Sequence, residues 1–425
     1  NGLKLTGTNR RVQFDTNDYL QYDRTNNRPT WVIGGATHWT ATLASGTGYI
    51  NVVDYGADPT GTNLSTTAIQ SAINDAQQNA KGIVYLPPGT YRTNAALAAT
   101  NNIHIRGAGR AQTIIQAEGC HGITAGSSAT VEAGDFTLFT NGTSYYGMEL
   151  LARYNCIENV SLAGLVAADD YWARNIYCKD VWYSSFDNIY MSGGVHNTHA
   201  RGSGFYFDYS VNNYITNCQL FALEYCVGIS NAVKPGGTNM SEGINIIGNT
   251  LITSKYGVYS AATGGLYFKI SNNIIDWIWD YGIRMWSPAS TIAGNWIGGK
   301  PDESVNGYVG IQLETSATGT TISSNKFWGD TSASSGVPGN DGILVYSSSN
   351  IIANNYIRHH KYGVYCYGGA NYNIIQGNQF PSDIDVRAIE FAASSNTNIC
   401  IANMALVGGI TDGGGGNIVE HNISV

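Results

Sequence analysis

The sequence predicts an all-β fold: a single-stranded right-handed parallel β-helix, a solenoid, with an N-terminal capping helix and a short β-rich leader. Three observations predict it. A phrase that opens with Gly-Val or Gly-Ile and then alternates recurs as GISNAVK, GVYSAAT, GIRMWSP, GIQLETS, GILVYSS and GVYCYGG, starting at Gly228, Gly257, Gly282, Gly310, Gly342 and Gly363. Each is followed by an apolar-x-x-Asn-x-apolar phrase, which supplies Asn249, Asn273, Asn295, Asn325, Asn355 and Asn378, with a weaker copy at Asn403. Third, only 12% of the 425 residues are charged, against 52 glycines, 28 tyrosines and 9 prolines. Such a composition suits short strands with tight corners.

Intervals of 22 to 30 residues between the asparagines are the period of a solenoid with two or three strands per coil. A leucine-rich repeat shares the period but needs a leucine-dense consensus, which is absent. Stacked coils sit about 4.8 Å apart. The asparagines then form a ladder inside one corner, satisfying buried polar groups along the axis. Earlier copies keep the slot with Val160, Ile189 and Cys218, and less clearly with Phe136 and Ile103.

In chain order, residues 1–50 read as the β-rich leader, 51–110 as the helix-capped start and 111–425 as the β-helix. Between Thr67 and Ala80, Ala68, Ile69, Ala72, Ile73 and Ala76 fall at helical spacing. Ser65 or Thr66 is positioned to cap that helix. Laid over the open end of the solenoid, it would block edge pairing.

The run from Val52 to Gly109, with DYGADPTG, TAIQSAI, GIVYLPPGTY and IHIRGAG, resembles the start of the pectate-lyase-like β-helix superfamily as found in bacteriophage tailspikes. The chain departs from that pattern at Ser65-Thr66-Thr67, where the family often has Asp-Asp-Thr. The leader from Arg10 to Gly35 resembles the segment that precedes the β-helix in capsule-degrading tailspikes. The resemblance implies a homotrimer on the virion, acting outside the host cell on a capsular or O-antigen polysaccharide. It also implies that a virion-attachment domain precedes this chain.

A net charge of −8 argues against a nucleic-acid partner, which would need a basic face. No apolar run is long enough for membrane insertion. Seven cysteines without a CxxC pair read as packed thiols. The HxxH spacing of His196 and His199 lacks a third ligand, and the glycines of TDGGGGN lack the lysine of a phosphate loop. No metal or cofactor is expected.

If the residue after each opening glycine points inward, the second and fourth point outward. One face then shows Tyr206, Asp208, Ser230, Tyr259, Arg284, Trp286, Gln312, Glu314, Leu344, Tyr346, Tyr365 and Tyr367. A second face, read from the asparagine slot, shows Asp276, Trp296, Lys326, Trp328, Tyr356 and Arg358. Trp277, Trp279 and Asp280 fall at the corner between them, with no direction assigned. Aromatic rings on so uncharged a face suit a sugar-binding shelf, although a subunit interface would look similar. The expected substrate-binding residues are Tyr259, Trp277, Trp279, Arg284, Trp286, Trp296, Gln312, Trp328 and Tyr346.

Glycoside hydrolysis needs two carboxyl groups, about 5–5.5 Å apart for retention or 6.5–9.5 Å for inversion. Carboxylates one or two coils apart meet either spacing. The catalytic candidates are Asp276, Asp280, Glu303 and Glu314, with Glu314 expected beside Arg284 and Glu303 in the insert KPDESVNGY. Two alternatives stand beside hydrolysis. A polysaccharide lyase would use Arg284, Arg358, His359 or tyrosines, and an adhesin would bind without cutting.

Overall fold

The computed structural model describes residues 48–424, apart from 79–81, 144, 166–169, 197–198, 239, 301–306, 330–339, 382 and 407–408. Before them it describes the backbone of five strands, Lys4–Thr6, Arg11–Gln13, Tyr19–Asp23, Arg28–Ile33 and Ala36–Thr40, which form an antiparallel meander.

From Tyr49 onward the chain winds as a right-handed parallel β-helix of about 13 turns. Each turn contributes three short strands, and each strand pairs in parallel with its counterpart one turn on. We call the three faces sheet A (Asn245–Ile247, Thr291–Ala293), sheet B (Gln219–Phe221, Trp296–Gly299) and sheet C (Tyr225–Ile229, Val309–Leu313). The interior is a set of apolar columns. In sheet A, Ile215, Ile246, Ile270, Ile292, Ile322, Ile352 and Ile375 follow one another in register, all fully buried. In an outer column of the same sheet, Lys269 is followed by Thr291, Thr321, Ile351, Ile374, Ile399 and Ile418. All seven cysteines are free and six are buried.

The glycine that opens each sheet C phrase has a steric cause. A Cβ on Gly257, Gly282, Gly310 or Gly342 would lie 2.5–2.6 Å from the carbonyl oxygen of the next coil's glycine. It would also meet the inward side chain of sheet B, at Ile275, Ile297, Phe327 or Ile357. At these four coils glycine lets the chain turn tightly around a packed core. Gly228 does not belong to this column. It pairs with Tyr206 and Tyr259, and Cys226 takes the column position, so Ser230 stands with Asp208 rather than with Tyr206.

The asparagine ladder runs between sheets A and B. The Oδ1 of Asn273 accepts from both the backbone N–H and the side-chain amide of Asn249, at 2.9 and 3.0 Å. The same exchange repeats through Asn295, Asn325, Asn355, Asn378, Asn403 and Asn422. Phe136 and Val160 pair in the earlier slot. Ile103 does not, because it pairs with Val131 at the start of sheet A. A second ladder, absent from the sequence reading, lies between sheets C and A. It runs through Thr320, Asn350, Asn373, Asn398 and Asn417.

The helix Thr66–Gln78 buries Ile69, Ala72, Ile73 and Ala76 over the first coil. Its capping differs from the expectation. The Ser65 hydroxyl accepts from the Asp58 N–H at 2.9 Å, and Thr66 exchanges hydrogen bonds with Asn94. Those hydroxyls tie the helix to neighbouring loops instead of closing its own first turn.

Candidate functional site

Sheets B and C meet at a corner whose length varies along the axis. It is long at residues 165–173, 193–202, 300–308 and 329–340. Between these insertions it is short: Thr250–Ser260 and Ile274–Met285 run through the corner as single strands. The coils with short corners lie between two groups of longer connections, and we call this stretch of sheet C the saddle; long connections grouped on one side of a solenoid commonly carry function.

Tyrosines floor the saddle. Tyr225, Tyr256 and Tyr281 occupy one sheet C column, with ring centroids 4.9 and 5.8 Å apart and planes within 10° of parallel. The coil spacing itself sets this stack. Tyr259 packs against Tyr225, Tyr256 and Trp286 at 5.2–5.5 Å. Burial pushes the phenols of Tyr225, Tyr256 and Tyr281 upward, which keeps them protonated.

Beside them, Arg284 bonds Glu314 Oε1 through Nε and Nη2 at 2.8 and 2.7 Å, and Gln312 Nε2 donates to the same oxygen at 2.6 Å. The guanidinium also lies 4.7 and 4.6 Å from the ring centroids of Tyr281 and Trp286. Burial opposes the Arg284 charge, but the hydrogen bond to Glu314 and the charge of that carboxylate raise its pKa. Tyr346 stacks on Tyr367 at 4.2 Å, within the electrostatic reach of Glu314.

Two carboxyl groups flank the tyrosine column. Asp280 precedes Tyr281 and lies 3.9 Å from Lys255 Nζ. Asp341 occupies the same column as Tyr281, two coils on, with Val309 between them. It is 6% exposed and its Oδ1 has no hydrogen-bond partner among the described residues. Burial raises its pKa to about 6, against the opposing pull of Lys361.

On sheet B, Trp296 and Trp328 stack at 5.9 Å beside Lys326 and Tyr356. Asp276 lies against Gly298, and its Oδ1 accepts from the Trp277 N–H. Arg358 and His359 both reach Asp383 Oδ2, at 2.6 and 3.2 Å.

The predicted residues therefore divide. Tyr259, Arg284, Trp286, Gln312, Glu314 and Tyr346 share sheet C, although Gln312 is buried at 6% exposure. Asp276, Trp296 and Trp328 lie on sheet B. Trp277 stands exposed at the corner under Lys300, 5.2 Å from its ring centroid. Trp279 is turned inward at 5% exposure and so is not available to a ligand. Its neighbour Asp280 reaches the surface only narrowly, at 7%. Glu303 lies outside the described residues, as do the side chains of His196 and His199. His360 is fully sealed, with its pKa lowered to about 3 by burial, which removes it as a base. Among the described residues, no cluster of His, Cys, Asp or Glu could hold a metal ion.

A family model described as "Rhamnogalacturonase A/epimerase, pectate lyase-like" matches residues 49–299, and one for the right-handed β-helix region matches residues 237–423. The chain belongs to the rhamnogalacturonase A/epimerase, pectate lyase-like family. Among curated relatives, it is 35% identical over 121 residues to mannuronan C5-epimerase AlgE6 of Azotobacter vinelandii, covering 26% of this chain and 13% of that protein. It is 41% identical over 73 residues to alginate lyase 7 of the same organism, covering 16% and 8%. The matches thus span well under two thirds of those relatives. Among solved structures, the Dettilon tailspike protein superposes with a TM-score of 0.58 at 16% identity, over 81% of this chain and 69% of that one. The adhesin PfbA of Streptococcus pneumoniae gives 0.55 at 14%, over 88% and 91%. At these identities the likeness is one of fold.

In this pectate lyase-like chain the sequence reading missed Asp341, Tyr225, Tyr256, Tyr281 and Lys255. Asp341 sits directly before Gly342, and Tyr256 and Tyr281 directly before Gly257 and Gly282. Strict alternation carried back through the glycine turns these positions inward, whereas the coil buries both the glycine and the residue after it and leaves Tyr256 and Tyr281 outside.

Proposed function

We propose that this chain is a bacteriophage tailspike that binds a bacterial surface polysaccharide across the sheet C saddle and cuts it by hydrolysis. The observation that carries the reading is Asp341. It is a buried carboxyl group whose pKa is raised to about 6 and one of whose oxygens has no partner. A carboxyl held protonated near neutrality is what a general acid requires. Asp280 is the second carboxyl. Asp280 adjoins Tyr281, whose backbone lies two coils from that of Asp341, about 9.6 Å by the coil spacing, so the two side chains must lean toward each other to reach the roughly 6.5–9.5 Å that leaves room for an attacking water. Asp280 takes a proton from that water as its oxygen bonds to the anomeric carbon. Asp341 donates its proton to the glycosidic oxygen as the old carbon–oxygen bond breaks. The Tyr225–Tyr256–Tyr281 stack supports sugar rings, and Arg284, Trp286, Gln312 and Glu314 hold hydroxyl groups beside them.

The test is polymer chain length. Capsular polysaccharide incubated with the wild-type protein should shorten, and Asp341→Asn or Asp280→Asn should slow this by at least 100-fold without a lowered Tm. Unchanged polymer length with the wild type would leave a binding role alone.

A second reading, β-elimination or epimerisation of a uronic acid polymer, is favoured by the local similarity to mannuronan C5-epimerases and by Lys255 at the saddle edge. Elimination products carry a new double bond and absorb in the ultraviolet, whereas hydrolysis products do not. The reading also includes a homotrimer on the virion, which leaves sheets B and C free by burying the apolar stretch of sheet A at Ile351, Ile374 and Ile399. Sedimentation equilibrium of the wild type and of Ile374→Lys tests this.

A further inference from the structure

Sheet B has an opening that the proposed cleavage does not use. Trp296, Lys326, Trp328, Tyr356 and Gln379 line a cavity of about 430 Å³, within the range of small-ligand sites. Trp296, Lys326, Tyr356 and Gln379 follow one another in a single column over four coils. Trp328 leans across that column onto Trp296, with the two planes 23° apart. The ring centroid of Trp328 lies 4.2 Å from the Arg358 guanidinium, which Asp383 holds at 2.6 and 2.8 Å.

The two cations of this site are therefore in different states. Arg358 is neutralised by Asp383 and braces the indole. Lys326 is exposed and, among the described residues, has no carboxylate in ion-pair range. A solvent-facing ammonium beside an indole pair and the side-chain amides of Asn354 and Gln379 matches an anionic sugar. The ring C–H face rests on tryptophan, the amides and Tyr356 take hydroxyls, and the charge meets lysine. A phosphate group would be better served by several converging donors or an arginine fork, and the one arginine here is already paired. We infer that the sheet B cavity is a separate binding site for one carboxylate-bearing sugar unit, with its ring on Trp296 and Trp328 and its carboxylate on Lys326.

The inference goes beyond cleavage on sheet C and can fail independently of it. The probe is a panel of acidic bacterial polysaccharides, each in native and carboxyl-reduced form, used as the retarding polymer in affinity electrophoresis. All proteins carry Asp341→Asn so that the polymer is not consumed. The expected result is retardation by at least one native polymer, weakened about tenfold by Lys326→Gln. The carboxyl-reduced form should be bound equally with or without Lys326→Gln. Trp328→Phe should retain the charge preference with lower affinity. Equal retardation of Lys326→Gln and its parent on every native polymer, or binding confined to the reduced polymers, would overturn the site. Retardation by no polymer would overturn it as well. Turnover by Lys326→Gln in an otherwise wild-type chain is then measured on neutral oligosaccharides. Loss there would point to sheet C and not to this cavity.

Discussion

Arg284 reaches across one coil to Glu314, with two of its nitrogens on a single carboxylate oxygen. Gln312 supplies a third donor to that oxygen. The charge of Glu314 is thus largely taken up inside the protein, and we propose that it organises the shelf. Glu314→Gln is expected to cost about 1–3 kcal/mol, because it leaves a half-buried guanidinium unpaired. Arg284→Gln combined with Glu314→Gln should recover part of that loss. A double-mutant cycle by chemical denaturation checks the coupling.

The asparagine ladders predict a steep local penalty. Asn378 Oδ1 accepts both the backbone N–H and the side-chain amide of Asn355. Asn378→Ala would strand both donors in a dry corner, at a cost of about 2–4 kcal/mol. Asn373→Ala in the second ladder should behave alike, since Asn350 loses the same two bonds. Calorimetry should show a lowered Tm in both variants. Hydrogen exchange should rise first in coils next to the lesion, because coils contact only their neighbours.

The glycine column predicts that the smallest change is harmful. Gly310→Ala places a methyl group 2.5 Å from the Gly342 oxygen and 2.7 Å from Phe327. The expected loss is about 1–3 kcal/mol. A stability equal to wild type would show that the coil widens without penalty, contrary to the packing account.

Asp341 predicts two pH effects. Its pKa rises from an unfolded value of about 3.9 to about 6 in the fold. The folded chain therefore binds the proton more tightly. Its stabilising effect is full below about pH 4 and is lost as pH rises through 6, about 3 kcal/mol in all. Asp341→Asn should flatten that part of the stability profile measured by urea unfolding. Cleavage should decline above pH 6 for the same reason. A rate that climbs steadily from pH 5 to 8 would rule Asp341 out as the acid.

Much of the fold was legible because its constraints repeat. A glycine wedged against the next coil recurs from Gly257 to Gly363 and an asparagine bonded along the axis from Asn249 to Asn403, so the period stood out. The second ladder was hidden because its positions accept Ser, Thr or Asn, as Ser290, Thr320 and Asn350 show. Corner directions were not legible either. One extra residue lies between Ile278 and Tyr281, relative to Ser254 and Tyr256. Parity therefore breaks where Trp277 faces solvent and Trp279 faces the core. Asp341 was overlooked because its significance comes from its burial, which spacing alone does not reveal.

A crystal structure of the Asp341→Asn protein soaked with an oligosaccharide of its capsular substrate bears most directly on the central claim. The account predicts sugar rings over Tyr225, Tyr256 and Tyr281, with a glycosidic oxygen within hydrogen-bond reach of the side chain at position 341. Sugar bound only on other faces, with the tyrosine saddle filled by solvent, would contradict it.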